Sequence, residues 1–160
     1  MNKSTKKNIV QGVFNSVFCY YLPLFGGCSK AEVNQLQIQQ NIAAHCVLTL
    51  PPRTRRTVLY DKLGWLTVQQ LIAYHTMITV YRVREKKEPE DLASFLTREN
   101  IYGNIMLQKS KLVLYRNSFV YRGSTLWNNL PKELRKVSQI GAFKTRLKTW
   151  VKENVLRFDD

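Results

Sequence analysis

Two four-residue patterns constrain this chain more than anything else in it: Ser29-Lys30-Ala31-Glu32 and Thr67-Val68-Gln69-Gln70. Each has the form S/T-x-x-E/Q. In that pattern a hydroxyl and a side chain three residues on satisfy backbone N–H groups that a helix start leaves without partners. Each also opens a long stretch with apolar residues at helical spacing. Behind Ser29 the stripe is Val33, Leu36, Ala43, Val47 and Leu50, with Gln35, Gln37, Gln39, Gln40 and Asn41 crowding the rest and Pro51-Pro52 as the stop. Behind Thr67 it is Leu71, His75, Ile78 and then Arg82 or Val83, with Ile72 and Tyr81 beside it, running to about Arg84.

The remaining punctuation extends the same reading. Ser4 is placed to cap a first helix carrying Ile9, Val10, Val13, Phe14, Val17 and Phe18, which Pro23 and Gly26-Gly27 end. Thr57–Leu63 reads as a short helix stopped by Gly64, and Pro89 opens another, PEDLASFL, after the charged turn EKKEPED. KLVLY (111–115) and SFVYR (118–122) are β-branched or aromatic and roughly alternating, which suits a short β-hairpin or a basic loop. Ser124 then caps one turn holding Trp127, Pro131 opens the next, and Ser138 caps a last helix with Ile140, Phe143, Leu147, Trp150 and Val151 on its apolar face. The expected fold is mainly α, a helical bundle over residues 1–88 and a small basic C-terminal helical unit over 89–160. The boundary is expected in Glu85–Glu90 or near Asn100–Leu107.

Charge narrows the function. The net charge is +14, and it is unevenly placed. Residues 1–60 hold seven Lys/Arg and one acid, 61–108 hold six of each, and 109–152 hold eleven Lys/Arg and one acid. Basic flanks around a neutral middle suit a polyanion. Cys19, Cys28 and Cys46 are odd in number and follow no secretory signal, which points to reduced thiols in an intracellular, nuclear or cytoplasmic, setting. With His45, their separations match no common zinc spacing. The longest apolar run, FCYYLPLF, is too short to span a bilayer, so no membrane partner is expected. No Gly-rich phosphate loop, catalytic triad spacing or carboxylate pair stands out, so no enzyme activity and no cofactor are expected.

Seven short motifs, in order, resemble the thumb and post-thumb tail of reverse transcriptases from non-LTR retrotransposons. They are YYLPLFGG (20–27), LQIQQN (36–41), LGWLTV (63–68), Ser118–Gly123, Trp127–Pro131, Leu134-Arg135 and Phe143–Lys148. Phe25 stands where similar proteins carry a Trp, and His45-Cys46 where they often carry an Arg. The resemblance implies that the 1–88 bundle is thumb-like. It also implies that the two-metal palm carboxylates, which lie upstream of the thumb in that family, are absent here. Phe158-Asp159-Asp160 lies on the wrong side of the thumb to replace them.

The implied role is non-catalytic holding of a template or product backbone, whether RNA, DNA or hybrid. By resemblance, the Gln-rich face with Gln37 and Gln40 contacts the minor groove of a primer–template hybrid. Lys6, Lys7, Arg53, Arg55, Arg56, Lys111, Arg116, Arg122, Lys144, Lys148 and Lys152 are the candidate phosphate contacts, neutralising charge and releasing counterions. Tyr115, Phe119, Tyr121 and Trp127, interleaved with Arg116 and Arg122, are candidates either for base stacking or for the core. The alternatives are a helical module that binds an acidic protein, a regulator of a palm-containing polymerase supplied in trans, and a nuclease built on scattered acids. Self-association through a thumb face left uncovered is also expected.

Overall fold

The computed structural model describes residues 5–10, 12, 27–51 and 53–154. Ser4, most of the first apolar stripe, Cys19, the YYLPLFGG motif apart from Gly27, Pro52 and Phe158–Asp160 lie outside the described residues. Residues 5–10 are helical. Eight labelled helices follow: α1 (Lys30–Leu48), α2 (Arg56–Leu63), α3 (Val68–Lys86), α4 (Glu90–Leu96), α5 (Val113–Arg116), α6 (Phe119–Asn128), α7 (Lys132–Arg135) and α8 (Ile140–Glu153). The fold is mainly α. Among the described residues the only β pairing is an isolated bridge, Glu99 to Ile105.

The two long helices start where the sequence predicts. Ser29 and Glu32 make a complete capping box at α1, and Thr67 and Gln70 make one at α3. The Ser29 backbone and hydroxyl both donate to Glu32 and hold its carboxyl below the usual carboxylate range. Gly64 ends α2 at φ 67°, a left-handed conformation that costs glycine little.

α3 is the hub. Its Ala73, Met77, Ile78, Val80, Tyr81 and Val83 are buried in one core with Ala93 and Leu96 of α4, Leu126 and Trp127 of α6, and Phe143, Leu147 and Val151 of α8. Tyr81 stacks on Phe143 with ring centroids 4.4 Å apart, and Trp127 lies 6.0 Å from the same ring. Residues on both sides of position 88 therefore share this core. A second cluster joins Ala44, Val47 and Leu48 of α1 to Leu59, Tyr60 and Leu63 of α2, with Val10 packed against it. Val68 and Ile72 meet Val33 and Leu36, which ties α1 to the start of α3.

The tail differs from the sequence reading. SFVYR begins α6 and most of KLVLY falls in α5, so the expected β-hairpin is not present. Ser118, not Ser124, is the cap: its hydroxyl accepts from the Tyr121 N–H at 3.3 Å. With that start fixed, Phe119, Gly123 and Trp127 fall at i, i+4 and i+8 and turn toward α3. Alternation over five residues is too short a signal to compete with a cap and that burial. Ser124 is fully buried in mid-helix. Ser138 does not cap α8 through its side chain; Gln139 is the N-cap residue, and the Ser138 carbonyl accepts from the Tyr81 hydroxyl.

The tail motifs each have a structural duty. A Cβ on Gly123 would meet Val80 Cγ2 at 2.8 Å, so the Arg-Gly pair marks the close crossing of α6 over α3. Trp127 and Leu130 are core. Between them, Asn128 accepts from the Ile105 N–H at 2.8 Å and donates to the Ile105 carbonyl at 3.0 Å. One side-chain amide thus supplies both halves of a strand-like pairing to an otherwise irregular segment. Pro131 is the N-cap residue of α7.

Candidate nucleic-acid interface

α8 builds the clearest basic surface. Phe143, Leu147 and Val151 recur at i, i+4 and i+8 and are fully buried against α3. The next position in each turn is then Lys144, Lys148 and Lys152, one row beside the buried seam. Lys148 and Lys152 are exposed and Lys144 is half-buried. Among the described residues, none of the three, nor Arg146, has an ion-pair partner. Burial first, then the charges of Arg82 and Lys144, push the half-buried His75 below its usual pKa. Two cations from two helices therefore sit close enough to bias one imidazole, and His75 stays neutral at pH 7.

The other expected contacts divide by element. Arg53, Arg55 and Arg56 are exposed between α1 and α2, with Arg55 as the N-cap residue of α2. Lys111 and Arg116 are exposed around α5. Arg122 is half-buried on α6, where burial pushes its guanidinium down and the Cys28 thiol lies within electrostatic reach. Lys6 and Lys7 are half-buried in the 5–10 helix. These groups stand on separate elements: the 5–10 helix, the segment between α1 and α2, α5 with the residues before it, and α6.

Gln37 and Gln40 do not fit the role given to them. They are 7% and 3% exposed. The Gln37 amide nitrogen, with two hydrogens to share, lies 2.6 Å from the Tyr60 hydroxyl and 3.1 Å from the side-chain oxygens of Gln40 and Asn41, and its oxygen accepts the Val68 N–H at 3.0 Å. Gln40 donates to the Leu66 carbonyl at 2.9 Å, and its oxygen lies 2.8 Å from the Tyr60 hydroxyl. Their donors and acceptors are consumed in an interior network that binds α1 to α2 and to the start of α3. Burial pushes the Tyr60 hydroxyl up to about 12, so it stays protonated and can donate.

The aromatics sort the same way. Trp127 and Phe143 are core, and Trp150 is half-buried against it. Tyr115 and Tyr121 pack edge-on to one another, centroids 5.5 Å apart, so each already has an aromatic partner. Sequence reading passed over a second basic cluster, formed where Arg84 of α3 meets Arg135 of α7 and the lysines on either side of it, Lys132 and Lys136. The Lys132/Lys136 spacing of four was the only signal for it.

Among the described residues, no three His, Cys, Asp or Glu side chains gather as a metal site, and no helix is long and apolar enough to cross a membrane. No family model, curated protein or solved structure matches this chain.

Proposed function

We propose that this chain is a non-catalytic nucleic-acid-binding protein, resembling the thumb and tail of a retroelement reverse transcriptase, that holds the backbone of RNA, DNA or a hybrid. The observation that carries the reading is the row Lys144, Lys148 and Lys152. It lies on a helix clamped to the core, and its charges have no acidic partner among the described residues. Three cations held one turn apart on a rigid support match the job of neutralising successive phosphates without reading bases. The net charge of +14 adds long-range attraction for any polyanion.

The test is binding to a short RNA–DNA hybrid, single-stranded RNA and duplex DNA across a salt series. Affinity should fall steeply with salt. Lys144→Ala, Lys148→Ala and Lys152→Ala combined should weaken all three ligands and reduce the salt slope by about one for each lysine that meets a phosphate. Absence of binding at low salt would overturn the reading.

A second reading, docking of a protein partner or of a polymerase in trans, has its own observation. Leu112, Val113 and Leu114 are 69%, 69% and 85% exposed in succession, beyond Ile101 at 91%. Contiguous exposed apolar residues of this kind mark interaction surfaces. Co-purification of a palm-containing polymerase, lost on Leu114→Ser with Val113→Ser, would favour it over nucleic-acid holding.

A further inference from the structure

The second basic cluster frames a cleft of about 290 Å³ between α3, α6, α7 and the 98–104 turn. Its cations are not equivalent. Arg84 is committed: it pairs with Glu99, donates to the Leu96 carbonyl, and lies 5.1 Å above the Trp127 ring. Arg135 is half committed. Its Nη1 donates to the Gly103 carbonyl at 2.8 Å and to Asn104 Oδ1 at 2.9 Å, while its buried Nε has no acceptor. Lys132 and Lys136 are exposed and have no ion-pair partner among the described residues.

Two further features say what such a cleft would take. Trp127 is 97% buried by its 3% exposure, yet its Nε1–H has no acceptor either. Two N–H donors on two lining residues are thus buried without acceptors, which the protein interior normally avoids. Both atoms are shut off from solvent and back the cleft wall; the charge an occupant meets is that of Lys132, Lys136 and Arg135, which favours an anionic group. The other feature is Tyr102, on the rim, 68% exposed with its ring uncovered. Stacking on an exposed aromatic beside cations is how proteins hold an unpaired base. The volume sits at the lower end for ligand clefts, which suits one nucleotide rather than a larger group.

We infer that this cleft seats a single unpaired nucleotide of a nucleic-acid strand, with its phosphate at Lys132, Lys136 and Arg135 and its base stacked on Tyr102. The inference rests on the nucleic-acid reading above and adds to it a preference for single-stranded over duplex ligand. A base inside a duplex cannot reach Tyr102, because both its faces are already stacked.

The experiment uses the full chain and fluorescence anisotropy with two probes, a six-residue oligouridylate and a blunt RNA duplex. Tyr102→Ala and the pair Lys132→Ala/Lys136→Ala alter exposed side chains, and thermal melts confirm that both variants fold. Each should weaken oligouridylate binding by about tenfold while leaving the duplex within twofold of wild type. Tyr102→Phe, which keeps the ring, should keep the affinity. Triple replacement of Lys144, Lys148 and Lys152 should weaken both probes. Equal loss on both probes, or unchanged oligouridylate binding in the Tyr102 and Lys132/Lys136 variants, overturns the cleft assignment alone. Failure of the wild-type chain to bind either probe overturns the nucleic-acid reading and the cleft with it.

Discussion

Tyr60 and Gln37 show how a single residue's role depends on what comes to rest against it. The Gln37 amide meets the Tyr60 hydroxyl across 23 residues of sequence. Gln37→Ala would leave that hydroxyl's neighbours and the Val68 N–H short of partners in the interior, at about 1–3 kcal/mol. Urea unfolding should report this loss, while affinity for oligonucleotide stays unchanged, because the side chain never reaches the surface. His75 offers the opposite case, a residue whose proton reports on its surroundings. Burial, Arg82 and Lys144 lower its folded pKa. Below about pH 6.5 the unfolded chain therefore takes up this proton before the folded chain does. Stability is full above that pH and falls as acid is added, until the lowered folded value is passed. A phosphate resting on Lys144 removes one of the opposing charges. The imidazole proton resonances should then titrate at higher pH when a polyanion is bound, and also in Lys144→Ala.

At the scale of elements, the crossing of α6 over α3 is the tightest fit. Val80 is fully buried and β-branched, so it cannot swing away from a new methyl on Gly123. Gly123→Ala should cost about 1–3 kcal/mol in thermal or urea unfolding. Val80→Ala made on that background should cost less than it does alone, because it removes the group that clashes. The same crossing explains which elements sequence could reveal. α1 and α3 were legible because their caps lie within four residues of their starts. The α8 seam was legible because Phe143, Leu147 and Val151 keep a strict period. α6 was not, because Phe119, Val120 and Tyr121 have β-forming side chains and the cap at Ser118 carries no Glu or Gln partner at the third helical position. The glycine that fixes its packing reads as a turn until Val80 is known to lie opposite. The candidate site divides likewise. The lysine row follows from periodicity, but the cleft draws on Arg84, Tyr102 and Lys132, whose meeting no local pattern announces.

For the whole molecule, α3 governs what can stand alone. Its buried side chains face Trp127, Leu126, Phe143 and Leu147, all supplied by the last third of the chain. A chain cut after Glu88 would present Met77, Val80 and Tyr81 to water. Such a truncation should lack the cooperative melt of the full chain, and hydrogen exchange in the full chain should show α3, α6 and α8 opening together. The tether between Gln70 and the Val151 carbonyl, 81 residues apart in sequence, closes the same unit from its far end. Synthesis on the ribosome gives this arrangement a further meaning. α3 emerges before every helix that covers its main apolar face. At roughly 5–20 residues per second, that face waits several seconds for α8 to be made. Through that interval the nascent chain presents an apolar surface that a holding chaperone can bind, and α8, which carries four of the 25 lysines and arginines, is the helix whose arrival closes that face.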